Sequence, residues 1–260
     1  MKKNYTKDDN FDELIEKFNQ ICEKGYIKGV GNNYKNSCGL TFEKELHKKV
    51  DSMFFPDFKD IEIKCKQKSS RFNITLFSLS FNGPFLYENN YILEKYGIKD
   101  NLVFGKNKLY IKLKCNEKIY YNNYYFELQI DYKNELLYIN IYDNNLNFVE
   151  KRGYISFDIL KSRVDLKLKK LALIKAYKTK NSDQLFFKYY QMSCYVFKGF
   201  NNFLKMIESN TIKYSISLRY SSNIKTYGKN KSRGVMFSIN EDDIPKIFDR
   251  IYYDKRIWIS

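Results

Sequence analysis

Histidine is nearly missing from this chain. His47 is the only one in 260 residues. Histidine is the usual base of Ser-His-Asp and Cys-His sites and the commonest zinc ligand, so those chemistries lose their main player. A multi-histidine metal centre is excluded, and His47 reads as a surface residue four positions after Glu43. The five cysteines, Cys22, Cys38, Cys65, Cys115 and Cys194, are odd in number and scattered. No C-x-x-C pair exists, so they read as reduced, mostly buried apolar residues. No phosphate-binding G-x-x-x-x-G-K-[ST] loop and no G-x-G-x-x-G are present. No run approaches the length of a membrane span, and Met1-Lys2-Lys3-Asn4-Tyr5 lacks the apolar core of a signal peptide. The expectation is a cytoplasmic protein.

Negative charge is also scarce. Lysine and arginine number 46 against 30 aspartates and glutamates, a net charge of +16. Such an excess suits polyanions, because phosphate contacts release counterions. Lysine bias from an AT-rich genome produces the same excess, so charge permits nucleic-acid binding without establishing it.

Against that background, Pro56-Asp57-Phe58-Lys59-Asp60-Ile61-Glu62-Ile63-Lys64 stands out. Ile61, Ile63 and Cys65 alternate with Glu62, Lys64 and Lys66, the period of a half-buried strand. Successive side chains point to opposite faces, so Glu62 and Lys64 share one pleat. Asp57 belongs to a turn or strand start just upstream, able to fold back toward Glu62. Asp57, Glu62 and the Ile63 carbonyl offer the oxygen ligands that Mg²⁺ takes. Lys64 beside them can orient a water or offset phosphate charge. Alternating Glu and Lys on a surface strand is also common, explained by cross-strand charge pairs.

Elsewhere, apolar spacing predicts a helix from Phe11 to near Gly25 with Asn10 as N-cap, and a second helix over Thr41–Val50 carrying Glu43. The glycine-bearing stretch Gly25–Gly39 reads as a connector or a phosphate-approaching loop. Ile74–Ser80 is expected to pair with the motif strand. Further expected elements are a short helix at Glu88–Tyr96, a hairpin from Tyr124–Asp131 and Glu135–Asp143, and a helix from Phe157 to about Lys169. A buried strand at Leu171–Tyr177 and a helix at Phe200–Ile207 follow. Thr211–Ser221 and Val235–Asn240 form a hairpin with a basic tip. A two-stranded ribbon fits a major groove. Ser217, Arg219 and Arg233 are candidates for base edges, Lys225, Lys229 and Lys231 for phosphates, and Ser215 for the same DNA-binding surface. A solvated sheet face with a basic tip is the other reading.

Cys38-Gly39-Leu40-Thr41-Phe42-Glu43, followed by Pro56 to Lys64 and Thr75-Leu76-Phe77, resembles the MvaI/BcnI group of type II restriction endonucleases, relatives of the MutH nickase. The resemblance extends through Ser156-Phe157-Asp158, Lys167-Leu168 and Ile212 to Asn240. It implies a mixed α/β fold of the restriction-endonuclease type, a central mixed sheet flanked by helices. Two lobes would form a DNA cleft, a catalytic one near 1–81 and 155–208 and a recognition one near 82–154 and 209–260. It also implies a monomer that hydrolyses double-stranded DNA at a short site with Mg²⁺ and leaves 5′-phosphates. Asp57 and Glu62 would be metal ligands, Lys64 the catalytic lysine and Glu43 a helix-borne acid near the centre. A cognate DNA methyltransferase is implied by the class. Family members carry a histidine where Arg233 stands, and Asp and Arg where Ser215 and Ser217 stand, so no target sequence transfers. A MutH-like repair nickase and a non-catalytic DNA-binding protein remain as alternatives.

Overall fold

The computed structural model of the chain describes residues 8–30, 36–47, 55–82, 87–232 and 234–255. In chain order, α1 (Asp9–Glu23), β1 (Ile27–Lys28), α2 (Ser37–Glu45), β2 (Ile61–Gln67) and β3 (Ile74–Leu79) come first. Then follow α3 (Glu88–Tyr96), β4 (Ile98–Lys99), β5 (Asn107–Leu113), β6 (Ile119–Tyr121), β7 (Tyr124–Asp131), β8 (Leu136–Tyr142) and β9 (Phe148–Ser156). The remainder is α4 (Phe157–Leu168), β10 (Lys170–Asn181), β11 (Gln184–Phe197), α5 (Phe200–Glu208), β12 (Ile212–Leu218), β13 (Gly234–Ile239), α6 (Ile244–Ile247) and β14 (Phe248–Lys255). The chain divides into two compact units, one of residues 1–74, 164–199 and 244–260, the other of 75–163 and 200–243. The boundary falls inside α4.

The first unit is built on a five-stranded mixed sheet, β1-β11-β10-β2, with β14 also on β11. β2 runs parallel to β10, with Ile61 beside Lys170 and Lys64 beside Leu173, whereas β10, β11 and β14 are antiparallel. Ile61 and Ile63 join Phe11, Leu14 and Phe18 of α1 and Phe42 of α2 in one buried cluster. Phe42 lies edge-on to Tyr189 with centroids 5.0 Å apart. Each such aromatic contributes about 1.5–3 kcal/mol by leaving water.

The helix ends differ from the sequence expectation, for local reasons. The N-cap of α1 is Asp8, whose carboxylate accepts from the amides of Asn10 and Phe11 at 3.2 and 3.3 Å. The Asn10 amide group instead donates to Asp60 at 2.8 Å. α2 starts at Ser37, earlier than Thr41. The Thr41 hydroxyl does not cap; it donates back to the Ser37 carbonyl at 2.7 Å inside the helix. The expected end of this helix, Lys48 to Val50, lies outside the described residues. Gly29 packs rather than cradles: its amide donates to the Leu185 carbonyl at 2.7 Å, and a Cβ there would sit 3.0 Å from that oxygen.

Two larger corrections concern pairing. β3 was expected beside β2, but it belongs to the second unit's five-stranded sheet, β3-β13-β12-β5-β4. And β12 is flanked by β13 on one side and β5 on the other, so 211–240 is not a free two-stranded ribbon. The C-terminal β14, which falls in the 209–260 stretch of the expected recognition lobe, pairs with β11 in the first unit. In the second unit, Phe203 of α5, Phe77 and Phe237 lie with ring centroids 4.9–5.9 Å apart, and Tyr214 meets Phe237 edge-on at 5.4 Å. A four-stranded antiparallel meander, β6-β7-β8-β9, completes it. The hairpin of Tyr124–Asp131 with Glu135–Asp143, the helix at Glu88–Tyr96 and the buried strand after α4 stand where the sequence reading expects them. No helix among the described residues is long and apolar enough to cross a membrane.

Candidate active site and nucleic-acid interface

A tight turn sets up the motif. Phe58 and Ile61 exchange backbone hydrogen bonds of 3.0 and 2.8 Å, reversing the chain over Lys59 and Asp60. Lys59 sits at φ +52°, a left-handed conformation that costs a side chain about 1–2 kcal/mol. The reversal folds Asp57 back along β2, where its carboxylate accepts the Ile63 amide at 3.0 Å. Asp60, the other acid of the segment, points away. It joins Asn10 and Lys170, the latter at 2.8 Å, and Lys170 also holds Asp8 at 2.7 Å. Burial opposes Asp60's ionisation, but the Lys170 and Asn10 hydrogen bonds prevail and hold its carboxyl below the usual carboxylate value. Asp60 is thus a brace between α1, β2 and β10, which separates its role from that of Asp57.

Glu62 is the centre of the arrangement. Its side chain is only 4% exposed. Lys64 Nζ lies 2.5 Å from one carboxylate oxygen and Lys167 Nζ lies 3.0 Å from the other. Lys167, in the last turn of α4, is buried and also donates to the Phe55 carbonyl at 2.5 Å. A buried charge must be paired and hydrogen-bonded to be tolerated. Here one carboxylate carries two ammonium groups, leaving the cluster with a local positive surplus beside Asp57. Lys64 is the more open of the two, with its side chain 24% exposed.

Glu43 stands half-buried on α2, next to Phe42, which packs in one cluster with Ile61 and Ile63 of β2. Glu43 and Asp57 both act on the Cys65 thiol. A hydrogen bond with Cys38 contributes most, then burial, then the charges of Cys38, Glu43 and Asp57; together they push that thiol well up. All five cysteines are free. Among the described residues, no group of three or more His, Cys, Asp or Glu side chains is arranged to cage a metal. A centre built on Asp57, Glu62 and a main-chain carbonyl has two carboxylates, below that number. Its donors are all hard oxygens, the set that suits Mg²⁺ with retained waters.

Lys167 is a site residue that the strand motif did not announce. It is 105 residues from Glu62 in sequence, and only the parallel pairing of β10 with β2 brings it there.

The residues nominated for DNA contact separate into four groups. Ser215 is 5% exposed, set between Lys112 and Met236 in cross-strand register, so it is not an open reading position. Ser217 is half-buried opposite Tyr110 and Gly234. Arg219, Lys225, Lys229 and Lys231 are exposed on the segment after β12. Arg233 lies outside the described residues.

A sequence model described as the MvaI/BcnI restriction endonuclease family matches residues 15–248. The chain belongs to the MvaI/BcnI restriction endonuclease family. Its members are restriction endonucleases, so the chain is a DNA nuclease by membership. Among solved structures, a complex of restriction endonuclease MvaI with its cognate DNA substrate is similar at 27% identity and TM-score 0.85, covering 95% of this chain and 100% of that one. A structure of MvaI in the absence of DNA is similar at 26% identity and TM-score 0.59, covering 96% and 99%. A comparison with curated proteins finds no match. The mixed α/β fold of this MvaI/BcnI family member thus agrees with the sequence expectation.

Proposed function

We propose that the chain is an Mg²⁺-dependent type II restriction endonuclease whose centre is Asp57, Glu62 and Lys64, with Glu43 as the helix-borne acid. The observation that carries this is Glu62, a buried carboxylate clasped by Lys64 and Lys167 beside the folded-back Asp57. Asp57, Glu62 and the Ile63 carbonyl would hold the ion. A divalent ion there supplies Lewis acidity and lowers the pKa of a bound water. The protein's own groups do the rest. The Asp57 hydrogen bond to the Ile63 amide fixes that carboxylate against the strand. Lys167 neutralises Glu62 from the buried side and keeps its plane in place. Lys64, at the more open side, presents its ammonium to the charge that develops on the phosphate, a preorganised contact of the kind that dominates such reactions.

In this reading residues 1–74 and 164–199 carry the chemistry, and 75–163 with 200–243 the recognition of duplex DNA. The lysines at 225, 229 and 231, with Arg219 and Arg233, serve phosphates and base edges, and Ser217 the sheet end of that surface. A monomer with one centre nicks the strands in separate events. The chain works in the cytoplasm beside a methyltransferase that protects host DNA. Supercoiled plasmid tests this. In Mg²⁺ it should pass through open circles to discrete linear fragments, and EDTA should stop both steps. Open circles that never become linear would favour a strand-specific nickase, and intact plasmid a DNA-binding protein without catalysis.

A further inference from the structure

The second unit carries displayed apolar side chains to which the proposed function gives no role. Segments 100–106 and 221–232 meet at Tyr227, whose hydroxyl accepts the Phe104 amide at 2.8 Å. Lys106 lies over the ring of Tyr220, the residue just before the second segment, at 4.7 Å, a second tie between them. On these segments stand Phe104, 94% exposed, and Ile224, 95% exposed, with Leu102, two residues before Phe104, at 67%.

Isolated bare apolar residues are ordinary. These are held in place by structure. Ile224 tops a single turn, Ile224–Thr226, started by the Asn223 side chain accepting from the Lys225 amide at 2.9 Å. Ser221 and Thr226 hydroxyls meet at 2.7 Å beneath it, and Gly228 donates to the Ser221 carbonyl at 2.9 Å. The other segment is closed by Asp100 and Lys106, whose backbones meet at 2.9 Å, over a buried Val103. Two ordered turns thus aim their largest apolar groups at solvent.

The charge around them selects the partner. Lys99, Lys225 and Lys229 are exposed and Lys106 half-buried. The nearby acids are engaged: Asp100 by Lys108 at 3.4 Å and the Leu102 amide at 3.0 Å, Glu94 by the Tyr220 hydroxyl at 3.0 Å and by Asn107. Apolar tips ringed by lysines match a nucleic-acid duplex, where phosphates meet cations and base steps accept apolar wedges. A second copy of a chain with net charge +16 would be repelled.

We propose that the paired tip is a duplex-DNA contact in which Phe104 and Ile224 press on a base step while Lys225 and Lys229 hold the flanking phosphates. This rests on the reading that the chain binds and cuts duplex DNA. The probe is a short duplex from a plasmid region that the wild-type chain cuts, kept whole in EDTA, with affinity followed over a salt series. Phe104→Ser/Ile224→Ser should bind about tenfold more weakly with an unchanged salt slope, since apolar contacts release no counterions. Lys225→Ala/Lys229→Ala should lower the log–log salt slope by about 2. Wild-type affinity in the serine variant, or a loss that comes only through the salt slope, overturns the proposal while leaving the nuclease reading intact. So does a wild-type oligomer in sedimentation that the serine variant dissolves. A wild-type chain that neither cuts nor binds DNA removes the nuclease reading itself. Matching circular dichroism melts show that the variants are folded.

Discussion

Lysines do opposite things in the two units. In the first, Lys64 and Lys167 close on one buried carboxylate within 3.0 Å. In the second, Lys225, Lys229 and Lys231 extend into solvent from a hydrogen-bonded turn. In the proposed reading the same residue type serves geometry in one place and field in the other. A reacting phosphate needs a charge fixed to within a fraction of an ångström, and burial with a partner provides that. A DNA backbone presents repeated charges, and mobile ammonium groups meet them at little cost.

The comparison breaks most visibly at Lys64. Lys64→Ala should slow cleavage by on the order of a thousandfold, as loss of a preorganised charge contact does, with DNA affinity in EDTA nearly unchanged. Plasmid digestion and anisotropy together read this; a parental rate would remove Lys64 from the chemistry. Next in size is the buried partner. Lys167→Met should destabilise the chain by about 3–5 kcal/mol, the cost of leaving one side of a buried ion pair uncompensated. Urea unfolding measures it, and the Glu62→Gln/Lys167→Met double variant should recover part of the loss. In the second unit, Lys225→Ala/Lys229→Ala/Lys231→Ala should show the reverse profile. Its unfolding midpoint should stay within about 0.5 kcal/mol of wild type while its binding weakens and becomes less salt-dependent.

Smaller effects sharpen the first unit further. Asp60 is held below its ordinary value of 3.8. A group whose folded value is depressed adds stability above its unfolded value and loses it as pH falls through the folded one. Acid should therefore weaken wild type more than Asp60→Asn below about pH 4, read as unfolding midpoints across pH. Last, Lys59→Gly relieves the left-handed residue at φ +52° but forfeits an exposed pair with Glu13. A net gain of about 0.5–1 kcal/mol is expected from the turn.

What the sequence made legible follows the same division. Asp57 to Lys64 could be read because one turn and one strand hold them, and alternation alone places Glu62 and Lys64 on a common face. Lys167 could not, because it reaches Glu62 through a parallel pairing that no local pattern encodes. The pairing of β3 was misassigned for a related reason: alternation says which face of a strand is buried, not which strand lies beside it. β11 alternates only over its first half and is buried on both faces from Tyr189 to Tyr195. Ser215 showed a polar residue on the outward phase, yet a small hydroxyl in a central strand is covered by its cross-strand neighbours.

The central claim is that Glu62 is the carboxylate on which phosphodiester hydrolysis depends. Single-turnover cleavage of a duplex fragment by Glu62→Gln, beside wild type at equal bound fraction in Mg²⁺, tests it most directly. The account predicts bound but uncut DNA with the variant and fragments with wild type. Cutting by Glu62→Gln at the wild-type rate would contradict it.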